Sequence, residues 1–188
     1  MKTFKRKESS KEFEKFWSEL EKDWFKVEVL QDYSGEDNSL SLQTWLNGDK
    51  NKSLQLIRES MKDSEWIKSS QNNKFKKIRL HIVEEPYSQY LLWEIEHYKL
   101  VNIPLLGEEI FLVRKEDVKD LVIPDGDFMI FDDKRVARNH YTSDGRMYNV
   151  DFYYEEDDIT TFLDFKKALM EKASKLLINQ GFKFVQYY

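Results

Sequence analysis

The 188-residue chain has no cysteine, only 6 glycines and 3 prolines. It also has no apolar run near the ~20 residues that a membrane-spanning helix needs. Without cysteine there are no disulfides, thiolate nucleophiles, iron–sulfur clusters or Cys-based zinc sites. So little Gly and Pro leaves no linker-like or low-complexity tract. The glycines form neither G-x-G-x-x-G nor G-x-x-x-x-G-K-[ST], so the usual dinucleotide and phosphate-loop signatures are missing. There is no G-x-S-x-G elbow either. The basic start, Met1 to Lys7, is not followed by the apolar stretch of a signal peptide. A cytoplasmic protein is expected, and the expectation leans away from an enzyme.

What is present is core-forming material: 40% hydrophobic and 15% aromatic residues. A chain of this length buries roughly 70% of its unfolded surface, enough for one domain without a disulfide or metal. The whole chain, 1–188, therefore reads as a single domain. It divides into an N-terminal helical arm (1–24), a helical segment (25–74), a sheet with two packing helices (75–178) and a C-terminal tail (179–188).

The net charge of -5 is unevenly spread. Residues 1–80 carry 17 basic and 14 acidic side chains, and residues 161–188 carry 5 and 2. Residues 81–160 carry 8 basic and 19 acidic side chains. That block would repel a phosphate backbone, so direct nucleic-acid binding is expected to be disfavoured. It leaves a protein partner as the expectation. A homo-oligomer stays open, and no membrane association is expected.

Hydrophobic period places the elements. Ser9 and Glu12 fit a capping box before a helix over 10–24 carrying Phe13, Phe16, Trp17, Leu20 and Trp24. Further helices are expected at 39–47 and 52–69, and a strand at 76–83, where Ile78, Leu80 and Ile82 alternate with Arg79, His81 and Val83. Pro86 suits the start of a helix over 87–101. A second strand is expected at 109–114, and strands at 128–131, 136–141 and 147–154 make an antiparallel meander, with Asp144-Gly145 at a hairpin turn. The acidic run Glu155 to Asp158 opens the last helix, where it opposes the positive dipole end. Phe182 to Tyr188 is an aromatic tail. The fold class is α+β, a mostly antiparallel sheet with N-terminal helices, one crossover helix and a C-terminal helix.

The chemistry concentrates on the helix after Pro86. At ~100° per residue, Glu94 falls on the inward stripe with Tyr87, Leu91, Ile95 and Tyr98, flanked by Tyr90. A carboxylate there must be paired, hydrogen-bonded or neutralised. One reading makes Glu94 a general acid/base or ligand anchor in a tyrosine-lined cleft with Tyr90, Arg79 and Glu108. The other makes it a satisfied structural group tying helix to sheet, which is the commoner case. Asp132 and Asp133 are weaker candidates for a divalent ion, and a solvated turn is the simpler reading. His81, His97 and His140 show no H-x-x-x-H or H-E-x-x-H spacing, so no metal and no cofactor is assigned.

Several segments together resemble an uncharacterised bacterial family known only as a domain of unknown function. They are Phe16-Trp17, Trp24 to Glu28 running to Tyr33, and Trp45-Leu46 before Gly48. Lys77 to Leu80, Pro86 with Tyr90 and Glu94, and Gly107 to Ile110 follow. Asp127 to Asp133, then Val136, Tyr141, Asp144 and Gly145, complete the pattern. The resemblance spans about 10–178. Members are commonest in high-GC Gram-positive bacteria and often encoded beside helix-turn-helix regulators, so the resemblance implies a small cytosolic accessory protein with a transcriptional regulator as the candidate partner. It assigns no residue a role. The leading expectation is a non-enzymatic protein-interaction or regulatory domain. The alternative is an enzyme or small-ligand-binding protein built around Glu94.

Overall fold

The computed structural model describes residues 1–33, 35, 39–62, 64–71 and 74–175. Its frame is one sheet of eight strands: β1 (Lys2–Lys5), β2 (Asp23–Glu28), β3 (Lys76–Val83), β4 (Glu108–Arg114), β5 (Phe128–Phe131), β6 (Arg135–Tyr141), β7 (Met147–Tyr153) and β8 (Ser174–Lys175). Their order is β1-β7-β6-β5-β2-β3-β4-β8. The α+β expectation is met, but the sheet is mixed. β2, β3 and β4 run parallel to one another, and the remaining neighbours are antiparallel.

Six helices are described: α1 (Ser10–Ser18), α2 (Leu40–Leu46), α3 (Lys50–Met61), α4 (Glu65–Gln71), α5 (Gln89–His97) and α6 (Glu156–Lys172). Alternation decides which sheet face each strand residue takes. Phe25, Val27, Ile78, Leu80, Ile82, Phe128 and Ile130 face α6, which covers them with Ile159, Phe162, Phe165 and Leu169. Each of those helix side chains contributes about 1.5–3 kcal/mol by leaving water. The opposite face carries Phe16, Leu20 and Trp24 near α1, and Leu91, Ile95 and Tyr98 of α5 against Ile110 and Leu112. Between these two apolar patches, on that same face, the strands present Lys26, Glu28, Lys77, Arg79, His81 and Glu108. The polar cluster is thus enclosed between sheet and helices.

Several boundaries differ from expectation for identifiable reasons. The helix expected over 10–24 stops at Ser18, and Trp24 lies in β2, where its neighbours Lys77 and Phe131 fix its register. Ser9 does not cap α1; its hydroxyl donates to the Arg6 carbonyl. The basic N-terminus is an edge strand, β1, paired with β7. The helix expected over 52–69 is divided into α3 and α4. α5 begins at Gln89 under a Ser88 cap and continues as a π-helical turn over Tyr98–Asn102. The tail Phe182 to Tyr188 lies outside the described residues. No described helix is long and apolar enough to cross a membrane.

Candidate functional site

The parallel strands set the site. In register, Glu28 of β2 lies beside His81 of β3, and Lys26 lies beside Arg79. Glu28 Oε1 accepts from Lys26 Nζ at 2.5 Å and from Arg79 Nη1 at 2.5 Å. Its other oxygen, Oε2, accepts from the Tyr98 hydroxyl at 2.5 Å. Arg79 turns its remaining nitrogens to Glu108, with Nε at 2.8 Å and Nη2 at 3.4 Å, and Asn102 Nδ2 supports the same carboxylate at 3.1 Å. Glu28 and Glu108 thus flank one guanidinium.

His81 is fully buried. Its Nε2 lies 2.7 Å from the Leu30 carbonyl oxygen. A carbonyl only accepts, so Nε2 carries a proton, and Nδ1 is the nitrogen turned toward α5. Glu94 Oε2 lies 3.2 Å from Nδ1, the Tyr98 hydroxyl oxygen 3.2 Å and Glu28 Oε2 3.9 Å. Tyr98 has spent its only proton on Glu28. Glu94 Oε2 is itself buried, and no donor among the described residues gives it a well-aligned hydrogen bond, His81 Nδ1 being its ion-pair partner.

The electrostatics follow from burial among charges. Burial pushes the Glu28 carboxyl up, but Arg79, Lys26 and His81 overcome this and hold it well below the usual carboxylate range. Burial alone would depress His81; the facing Glu94 and Glu28 carboxylates raise it instead to about 9. Burial and the nearby carboxylates push Tyr98 up, so it stays a donor. Burial likewise raises Asp127, which accepts from the Val29 amide and the Tyr33 and Tyr141 hydroxyls at 2.8–2.9 Å.

Of the sequence candidates, Arg79 and Glu108 are brought together, while Glu94 meets His81 rather than Arg79. Tyr90 sits one layer out, with its ring against Tyr33 and Trp93. Tyr87 donates to Glu85 and takes no part. The idea of an ion held by Asp132 and Asp133 is corrected. Asp132, in the left-handed region at φ 55°, accepts from the backbone amides of Glu21, Lys22 and Asp23 at 2.7–3.1 Å. Asp133 is paired with Lys166 at 2.7 Å. Asp132 is a turn that ties the end of β5 to the start of β2.

Sequence reasoning missed Glu28, His81 and Tyr98 as one group. Their signal was the polar alternation itself: Lys26-x-Glu28 and Lys77-x-Arg79-x-His81 place both signs of charge on one face. Only the β2–β3 register shows that these faces adjoin.

The site therefore belongs to an α+β protein with a mixed sheet whose buried ionic centre lies between parallel strands and a crossover helix. The chain belongs to the DUF6879 family, a domain of unknown function whose model matches residues 11–177. No curated protein matches it in sequence. Among solved structures, it is similar to TrmBL2, an archaeal chromatin protein described as showing a novel mode of DNA binding. That match has 14% identity and a TM-score of 0.48, covering 93% of this chain and 52% of the other. It is also similar to NucT from Helicobacter pylori, at 8% identity and a TM-score of 0.48, covering 93% of this chain and 98% of that one. The chain thus spans about half the length of TrmBL2.

The expectation of a protein partner with direct nucleic-acid binding disfavoured is corrected: one of the two similar structures is described by its DNA binding, and that likeness assigns this chain no partner of its own. Within the acidic block, Glu94, Glu108, Asp127, Asp132 and Asp151 are buried, while Glu84, Glu85, Glu116, Asp120, Asp125 and the run Glu155 to Asp158 are exposed.

Proposed function

We propose that this chain is a small-ligand-binding protein or enzyme, acting in the cytoplasm, whose centre is the Glu28–His81–Glu94 cluster at the carboxyl end of β2 and β3. The observation that carries this reading is the buried Glu94 Oε2, whose charged neighbour His81 Nδ1 stands 3.2 Å away without hydrogen-bond alignment. A buried carboxylate oxygen held only by a misaligned ion pair gains from a better-placed partner. The location agrees. In sheets with parallel strands, ligands commonly bind beyond the carboxyl ends of the strands. Here Glu28 ends β2 and His81 lies two residues before the end of β3. Tyr33, Tyr98 and Tyr141 line the same end of the sheet, in keeping with a tyrosine-lined centre. In chemical terms, His81 and Glu94 form an acid–base pair, and Arg79 and Tyr98 fix the second carboxylate, Glu28.

The test is a panel of metabolites and ions screened against the full chain by histidine-observed NMR and thermal unfolding, with Glu94→Gln alongside. The reading expects at least one component to move the His81 resonances and raise Tm in the wild type while leaving Glu94→Gln unmoved. Equal responses in both proteins, or no response at His81, would overturn it.

A further inference from the structure

We infer that the ligand of this centre is a divalent transition-metal ion, held by Glu28 Oε2, His81 Nδ1 and Glu94 Oε2. The inference deepens the reading above and rests on it. It departs from the sequence expectation that no metal is bound. Three observations carry it.

The first is donor geometry. The three ligand atoms lie within 4.8 Å of one another. His81 Nδ1 is 3.2 Å from Glu94 Oε2 and 3.9 Å from Glu28 Oε2. A tetrahedral Zn²⁺ with bonds of ~2.1 Å sets its ligands about 3.4 Å apart, so small side-chain shifts complete the set. Three protein ligands also leave a fourth position for water or substrate, as catalytic zinc sites do.

The second is orientation by surrounding groups. A metal-binding imidazole donates its other nitrogen to a carbonyl or carboxylate, which fixes the tautomer. His81 does this through Nε2 to Leu30. Glu28 is divided in the same sense: Lys26 and Arg79 occupy Oε1, and Oε2 points to the centre with Tyr98 as its donor. Glu94 Oε2 is buried without an aligned donor.

The third is the chemistry of the donor set. An imidazole with two carboxylates suits Zn²⁺ and its first-row neighbours, and no thiolate exists here to divert them.

The experiment titrates the metal-depleted full chain with zinc sulfate by calorimetry and follows it with zinc-edge X-ray absorption on the wild type. The inference expects one zinc ion per chain, in a shell of one imidazole and carboxylate oxygens at about 2.0–2.2 Å. It expects binding to be lost in Glu94→Gln and His81→Gln, and weakened roughly 10–100-fold in Tyr98→Phe, which removes the hydroxyl that orients Glu28 and lies beside His81 Nδ1. The absorption measurement needs no variant, so a misfolded mutant leaves the test intact. Absence of zinc binding, or binding unchanged in Glu94→Gln, overturns the metal assignment. In that case a small molecule from the panel that moves His81 in the wild type alone would keep the site. If the panel also fails, the site reading falls with it.

Discussion

His81 Nδ1 lies 3.2 Å from Glu94 Oε2, which joins β3 to α5 through two buried side chains of opposite chemistry. Because the Leu30 carbonyl holds the other imidazole nitrogen, only Nδ1 can answer a change in the centre. That constraint makes the pair a reporter for the whole network: anything that binds Glu94 displaces or replaces the Nδ1 proton.

Arg79 is the hub of the buried charges, since it bridges Glu28 and Glu108. Arg79→Met keeps much of the volume but leaves two enclosed carboxylates without their shared cation. Breaking such a pair from one side costs about 3–5 kcal/mol. Urea unfolding should show a loss of that size. A change within experimental error would mean that Lys26 and Asn102 suffice to hold both carboxylates.

Asp132 gives an acid-side signature. Burial works against its charged form, but the amides of Glu21, Lys22 and Asp23 together with Arg135 hold its carboxyl below the usual value. A carboxyl lowered in the folded state contributes stability that is complete above the unfolded value near ~4 and is lost as pH falls through the folded value. Asp132→Ala should destabilise the protein by on the order of 2 kcal/mol at neutral pH, because buried amides lose their acceptor. Unfolding curves of variant and wild type should converge as pH falls through the lowered folded-state value. Curves that stay parallel across that range would contradict this role.

Tyr98→Phe isolates one hydroxyl. The ring stays packed on Ile110 and Leu112, while Glu28 Oε2 loses its donor. Removing a hydrogen-bond partner from a buried charged group costs about 1–3 kcal/mol. Calorimetry should show a lower Tm, with far-ultraviolet circular dichroism unchanged. An unaltered Tm would show that the hydroxyl does not place Glu28.

Asp127 collects two tyrosine hydroxyls and a backbone amide with both of its oxygens. Asp127→Asn replaces one acceptor with a donor that faces donors already in place. The expected result is a destabilisation of about 1–3 kcal/mol, largely reversed by adding Tyr141→Phe. Additive losses in the double variant would argue against a shared network.

The sequence patterns that proved reliable were local. Ile78, Leu80 and Ile82 alternate without interruption, and β3 spans Lys76–Val83 as their period requires. The short helix α2 and the apolar strand β5 were equally legible. Trp24 was misplaced because its helical spacing from Phe16, Trp17 and Leu20 is real, yet pairing with Lys77 and Phe131 outweighs it. β1 escaped notice because Lys2, Thr3, Phe4 and Lys5 are too few to show a strand period, and they gain their structure from pairing with β7. At the site, helical angles alone put Glu94 inside, and Arg79 and Glu108 proved close together. Glu94's partner did not follow, because it depends on which strand lies beside which. The parallel register that sets Glu28 next to His81 joins segments 53 positions apart. No local period carries that information.

The central claim is that Glu28, His81 and Glu94 form a working centre and not an inert ion network. Its most direct test is long-range ¹H–¹⁵N NMR of His81 at neutral pH, before and after addition of stoichiometric Zn²⁺. The account predicts that Nε2 keeps its proton throughout, while Nδ1 gives up its proton and takes on the shift of a metal-bound nitrogen, a change absent in Glu94→Gln. An imidazole that keeps both protons in excess zinc, and that no component of the ligand panel perturbs, would contradict it.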